Sequence, residues 1–168
     1  MESVLLNWNC SGKRCWKSCG RPWKVSRSTL QAIEIDAPPA RCFEVAADVE
    51  AFPEWAGGVR QVSVHEKDAD GRPVRATLVV DAMIRQIEVT FRYTYDPPHT
   101  IRWTAEPGRD VLELEGSYEF RELGEGTTAV YMLRVVPGFD IPGYLLSQAE
   151  KQIVGTALRA LRKRAEGS

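Results

Sequence analysis

Apolar and polar positions along the chain follow two periods, one of two residues and one of about 3.6, in a definite order. Leu30, Ala32 and residues 33–35 mark a short strand, which Asp36-Ala37-Pro38-Pro39 stops. Tandem prolines cannot continue a hydrogen-bonded ladder, but Pro39 suits the first turn of a helix. Cys42, Phe43, Ala46 and Ala47 then recur at helical spacing. Asp48 closes that helix and is placed to cap a second, short one, which holds Phe52, Pro53 and Trp55 and ends at Gly57-Gly58.

Six strand candidates follow with no long helix between them. Val62 and Val64 alternate within 59–66, and Asp70-Gly71 is a strong hairpin signal. Val74, Ala76, Leu78, Val80 and Ala82 form one apolar face; Ile87, Val89, Phe91, Tyr93 and Tyr95 form the next, with Glu88, Thr90, Arg92 and Thr94 opposite. Pro97-Pro98 turns the chain into Ile101, Trp103 and Ala105. Leu112, Leu114, Gly116, Tyr118 and Phe120 then share a face, opposite Glu113, Glu115, Ser117, Glu119 and Arg121. After Gly124-Glu125-Gly126 comes a last strand with Ala129, Tyr131, Leu133 and Val135 inward.

Period-two alternation over consecutive strands joined by short turns means an antiparallel meander with one dry and one wet face. The dry face needs a cover, and the C-terminal segment supplies it. Pro142 opens a helix of about 22–24 residues, about 33–36 Å long, with Leu146, Ala149, Ile153, Ala157, Ala160 and Leu161 on one side. Glu150 near its start and Arg162, Lys163 and Arg164 near its end suit the helix dipole. The predicted fold is therefore α+β, in the order β-αα-β6-α: a strongly curved antiparallel seven-stranded sheet wrapped around a long C-terminal helix. One helix is about 10 Å wide, while seven strands at about 4.8 Å span more than three times that. With alanines so frequent in the helical stripe, the space beside it points to a ligand cavity.

Composition divides the chain into two. Of 168 residues, 43% are hydrophobic and 27% charged, the balance of an ordinary globular domain, and the net charge of −1 argues against a nucleic-acid-binding body. No apolar run is long enough for a transmembrane helix. The first thirty residues, however, carry Lys13, Arg14, Lys17, Arg21, Lys24 and Arg27 against Glu2 alone, with Cys10, Cys15, Cys19, Trp8, Trp16 and Trp23. They show no regular period and no secretory h-region. We expect residues 1–29 to be a basic tail, disordered or arising from a misassigned start, with Val25 as an alternative initiator, and 30–168 to be the domain. The C-x4-C-x3-C spacing lacks a nearby fourth ligand for a structural metal site. A basic, tryptophan-rich tail against a nucleic acid or an anionic membrane is the other reading of this segment.

The blocks IEIDAPPARCFEVAADVEAFPEW, DADGRPVRATLVV, YTYDPPHTIRWTAEPG, GSYEFRELGEGTTAVYMLRV and PGYLLSQAEKQIVGTALRALRKR resemble the polyketide cyclase/dehydrase branch of the START-like (SRPBCC, helix-grip) superfamily, in particular its small bacterial members. The resemblance runs in order over about residues 30–166. It implies the same helix-grip fold and a cavity for a hydrophobic, often ring-containing molecule. Fold alone does not carry function.

Chemistry within such a cavity needs a positioned acid or base. His65 and His99 are the only histidines, and both fall at strand ends or turns. Asp48 and Glu54 flank the Trp55 block, either at a cavity mouth or as cap and surface carboxylate. Arg85 shares strand parity with Ile87, Val89 and Phe91, so it points inward unless it lies beyond the dry face; inward, it requires a carboxylate or an anionic ligand. Tyr93, Tyr95, Trp103, Tyr118 and Tyr131 occupy dry-face positions, where hydroxyls orient a polyphenol or quinone-like ligand or the rings simply pack. Met83 and Met132 are adaptable lining candidates, and residues 136–143, with Phe139, are a candidate gate. Gly124-Glu125-Gly126-Thr127-Thr128-Ala129 matches GxGxxA but joins two strands, so it fails as a dinucleotide site.

The candidate ligand-binding residues are Trp55, Met83, Arg85, Phe91, Tyr93, Trp103, Tyr118, Tyr131, Phe139 and Leu146, with Arg85 the one catalytic candidate. No metal and no cofactor is expected. The expected partner is a hydrophobic small molecule, with no nucleic acid, no integral membrane contact, a cytoplasmic location and a homodimer left open. The leading reading is a carrier, chaperone or sensor for a lipid, an aromatic polyketide-like or a quinone-like compound. The alternatives are a lyase-type cyclase/aromatase acting on a poly-keto substrate, with Arg85 and the tyrosines polarising it, and a non-catalytic interaction module.

Overall fold

The computed structural model describes residues 28–82 and 85–167. Strand β1 (Thr29–Ile35) leads through the proline pair into helix α1 (Pro39–Ala47), a 3-10 turn (Val49–Ala51) and the short helix α2 (Phe52–Trp55). Strands β2 (Val59–Lys67), β3 (Pro73–Ala82), β4 (Arg85–Asp96), β5 (Thr100–Ala105), β6 (Val111–Leu123) and β7 (Gly126–Pro137) follow, and helix α3 (Gly143–Ala165) closes the chain. All pairings are antiparallel, in the order β1-β7-β6-β5-β4-β3-β2. The meander is thus completed by β1 crossing to pair with the last strand. This is the helix-grip arrangement that the alternation predicts.

The local causes are visible. Pro39 occupies the first turn of α1, where a missing N–H costs nothing, and the backbone N–H of Asp48 donates to Glu44 O as the helix ends. Asp48 makes no side-chain cap to the following turn, contrary to expectation. The β6–β7 hairpin is tied to the start of α1 by Thr127 Oγ1, which donates to Ala37 O at 2.6 Å with both groups buried. Gly126 has no room for a side chain, since a Cβ there would lie 2.6 Å from Ile35 O.

Alternation separates the two faces of the sheet. Ala76, Leu78, Val89, Phe91, Tyr93, Ile101, Tyr118, Phe120, Ala129, Tyr131 and Leu133 are buried on the concave side. One predicted inward residue is displaced. A bulge between Val111 and Glu113 makes Leu112 the extra residue of β6, so Val111 is buried and Leu112 is half exposed. Met132 alternates with the buried Tyr131 and Leu133 and pairs with Ser117 and Leu30, which puts it on the other face and removes it as lining.

The helix α3 also sits rotated from the predicted stripe. Its sealed row is Glu150, Val154, Leu158, Leu161 and Ala165, packed against β1, β7 and α1. Leu146, Ala149, Ile153, Ala157 and Ala160 lie on the flank of that row, half-buried except for Ile153, which is exposed. Glu150, a charged residue at a position that periodicity assigns to solvent, is buried in that row and accepts a hydrogen bond from Thr29 Oγ1 at 2.9 Å. The flank consequently faces the open part of the concave side. Trp8, Trp16, Trp23, Cys10, Cys15, Cys19, Val25 and Met83 lie outside the described residues.

Candidate functional site

Beneath α3 the concave face does not close. A cavity of about 180 Å³ is floored by Leu78, Val80, Phe91, Tyr93, Ile101, Trp103, Leu114, Tyr118, Tyr131, Leu133 and Val135 of the sheet. Phe52, Trp55, Ala56 and Gly57 wall it on one side, and Ile153 and Ala157 of α3 cover it. Phe52 and Trp55 meet edge to face at 5.3 Å, so the short helix α2 presents a rigid aromatic corner.

The floor carries an aromatic cluster. Ring centroids of Tyr118 and Tyr131 are 4.6 Å apart, and Trp103 lies 5.3 Å from the first and 5.4 Å from the second. Tyr93 joins it at 6.5 Å from Trp103. Trp103 lies flat on the sheet because its cross-strand partner is Gly116: a Cβ there would come within 2.3–2.5 Å of the indole. Burial pushes the phenols of Tyr93, Tyr118 and Tyr131 well above the ordinary tyrosine range, so all three are neutral hydroxyls.

None of these three hydroxyls has a hydrogen-bond partner among the described residues, whereas Tyr95 Oη donates to Pro73 O at 2.5 Å. Yet among the described residues no sealed side-chain nitrogen or oxygen lacks a partner. The three oxygens therefore border the free space of the cavity. Tyr95 points away, toward Phe43 and the Arg72 guanidinium, 5.9 Å from its ring centre.

Of the sequence-derived candidates, Trp55, Phe91, Tyr93, Trp103, Tyr118 and Tyr131 line the cavity. Arg85, Phe139 and Leu146 do not. Arg85 keeps the expected parity but stands at the strand end, half exposed, where it pairs with Asp110 and lies over the Phe139 ring at 4.8 Å. That contact joins the end of β4 to the β5–β6 and β7–α3 connections. It also lines a hollow of about 600 Å³ with Gly58, Asp81, Gln86, Ala149, Gln152 and Thr156, which shares Gly57 and Ile153 with the cavity and so adjoins it. Phe52 of α2 was missed, and the lining residues missed on the sheet are aliphatic, among them Leu78, Val80, Ile101, Leu114, Leu133 and Val135. Their strand parity with the tyrosines marked them as inward, but nothing distinguished cavity wall from sealed core.

The remaining candidates lie elsewhere. Glu54 pairs with Arg164 at 3.1 Å, and His65 Nε2 meets Thr77 Oγ1 at 2.7 Å on the exposed face. His99 serves a turn through its backbone, accepting from Phe120 N. Asp48 borders surface hollows near α1, away from the cavity. Among the described residues no group of His, Cys, Asp and Glu is placed to hold a metal ion, and no helix is long and apolar enough to cross a membrane.

Solved structures share this fold at low sequence identity. A START superfamily protein from Mycobacterium smegmatis superposes with a TM-score of 0.76 at 20% identity, over 83% of this chain and 97% of that one. The Zhui aromatase/cyclase from Streptomyces sp. R1128 gives 0.73 at 20% identity, over 83% and 93%. A STAR-related lipid transfer protein from Xanthomonas axonopodis gives 0.71 at 20% identity, over 86% and 90%. Comparison with curated proteins finds no match. The family model for polyketide cyclase / dehydrase and lipid transport matches residues 35–162, from the end of β1 to the last turns of α3, and the chain belongs to that START-like family.

Proposed function

We propose that the protein binds a hydrophobic small molecule, lipid-like, aromatic polyketide-like or quinone-like, in the cavity between sheet and α3, as a carrier, chaperone or sensor. The observation that carries this reading is an apolar chamber bordered by three tyrosine hydroxyls that no described residue satisfies. These hydroxyls border free space, so a bound molecule offering an oxygen gains hydrogen bonds that no described side chain already takes. Among the described residues the lining holds no histidine and no carboxylate, which supports binding rather than proton transfer.

A second reading, a cyclase or aromatase, is favoured by one feature: neutral phenols grouped on one wall are donors that can polarise a ketone. Arg85 does not strengthen it, because its guanidinium is held by Asp110 outside the chamber. Native against denaturing mass spectrometry of protein from its natural source tests both readings. A reproducible non-covalent adduct of a few hundred daltons is expected. No adduct, with no thermal shift across a lipid and polyketide panel, favours the interaction module instead. Conversion of a poly-keto substrate, abolished in Tyr118→Phe with folding intact, selects the enzyme.

A further inference from the structure

The chamber also restricts what can enter it. Its free volume of about 180 Å³ is small. A protein cavity of about 150 Å³ takes one benzene ring, whereas drug-sized ligands fill pockets of about 300–1,000 Å³. The floor cannot recede under Trp103, because the indole already lies on the Gly116 backbone. Among the described residues the lining contains no charged side chain, so an ionised group in the chamber would meet no counter-charge from them. The Arg85 guanidinium, in the adjoining hollow, is engaged by Asp110. What the chamber does offer is concentrated: three neutral hydroxyls on one side and aromatic faces beside them.

Resting on the binding reading above, we propose that the ligand is a compact, uncharged single-ring molecule carrying an oxygen, a phenol or ring ketone. The oxygen is held by the hydroxyls of Tyr93, Tyr118 and Tyr131, and the ring lies against Trp103. A phenol donates to one tyrosine oxygen and accepts from another; a ketone accepts from two. A long acyl chain or a multi-ring polyketide exceeds the chamber itself and would have to extend into the adjoining hollow beside Gly57 and Ile153.

The test titrates the full chain with five probes, read by calorimetry and thermal shift: 4-ethylphenol, acetophenone, 4-ethylbenzoate, palmitate and the three-ring emodin. The two uncharged single-ring probes are expected to bind saturably, and the other three at least about tenfold more weakly, the loss of a hydrogen-bonded or uncharged fit. In the double variant Tyr118→Phe/Tyr131→Phe, 4-ethylphenol should lose about tenfold or more while toluene binding is unchanged. Toluene also reports that the chamber is still formed. Trp103→Leu should admit emodin by enlarging the floor.

Palmitate or emodin binding more tightly than 4-ethylphenol overturns the size limit and leaves the binding reading standing. Equal binding of 4-ethylbenzoate overturns the requirement for an uncharged ligand, and full 4-ethylphenol affinity in the double variant overturns the tyrosine anchor. No binding by any of the five overturns this inference and the binding reading together.

Discussion

The two faces of the sheet treat their polar groups in opposite ways. On the convex face several charges are matched within the fold. Glu106 accepts from Arg75 at 2.8 and 3.0 Å and pairs with Arg92, while Arg134 reaches both Glu113 and Glu115. Thr77 joins His65 and Thr90 in a short polar ladder across three strands. On the concave face three tyrosines are buried with hydroxyls that have no partner among the described residues, and Trp103 is laid flat beside them. Paired groups in water add little to stability but keep the face soluble. A ligand that bonds the free hydroxyls of the hollow would stabilise the folded protein by mass action. The difference leaves the concave face as the one with hydroxyl donors that no described residue engages.

The largest effect should separate sealed core from cavity wall within the concave side. Leu158→Ala, in the sealed row of α3, should lose about 3 kcal/mol in chemical denaturation. Ile153→Ala, on the cavity flank of the same helix, should lose under about 1 kcal/mol because its side chain is already 44% exposed. Equal losses would mean that the chamber collapses around both. Next, Gly116→Val should cost about 2 kcal/mol, since the new side chain must displace the Trp103 indole; a shift in tryptophan emission checks the cause.

Smaller effects sharpen the contrast between satisfied and unsatisfied hydroxyls. Tyr95→Phe should lose about 1 kcal/mol with its bond to Pro73 O, while Tyr118→Phe in ligand-free protein should change stability by under about 0.5 kcal/mol. The pH limbs should divide by face. Burial raises the phenol pKa of Tyr93, Tyr118 and Tyr131 in the folded state, so the unfolded chain ionises first and stability falls above about pH 10. The Arg75 and Arg92 guanidiniums lower the Glu106 carboxyl, so its contribution is present above about pH 4 and is lost as pH falls through the folded value. Glu106→Gln should flatten only the acid limb of a melting-temperature profile. Smallest of all, Arg85→Ala should change stability by under about 0.5 kcal/mol, as expected for a half-exposed pair.

Much of this was legible in the chain because strand parity is local. The alternation through Tyr93, Trp103, Tyr118 and Tyr131 put each on the inner face without knowledge of its neighbours, and the proline pair and Pro142 marked where α1 and α3 begin. Leu112 and the helix stripe failed because their causes are not local. A bulge is decided by the partner strand's register, and the buried Glu150 accepts from a hydroxyl 121 residues away. Parity gave the direction of Arg85 correctly but not how far along the strand the dry face extends, which depends on where Asp110 and Phe139 come to rest.

The amino-acid order by itself determined the elements, the antiparallel meander, the inward set of aromatics and the need for a helix to cover them. All of these follow from periodicity and the chemistry of turns. Only the tertiary structure decided that a cavity remains, how large it is and which hydroxyls in it are unsatisfied. Free volume is a small difference between the space that curved strands and a helix enclose and the side chains that fill it. That difference is set by packing between residues far apart in the chain.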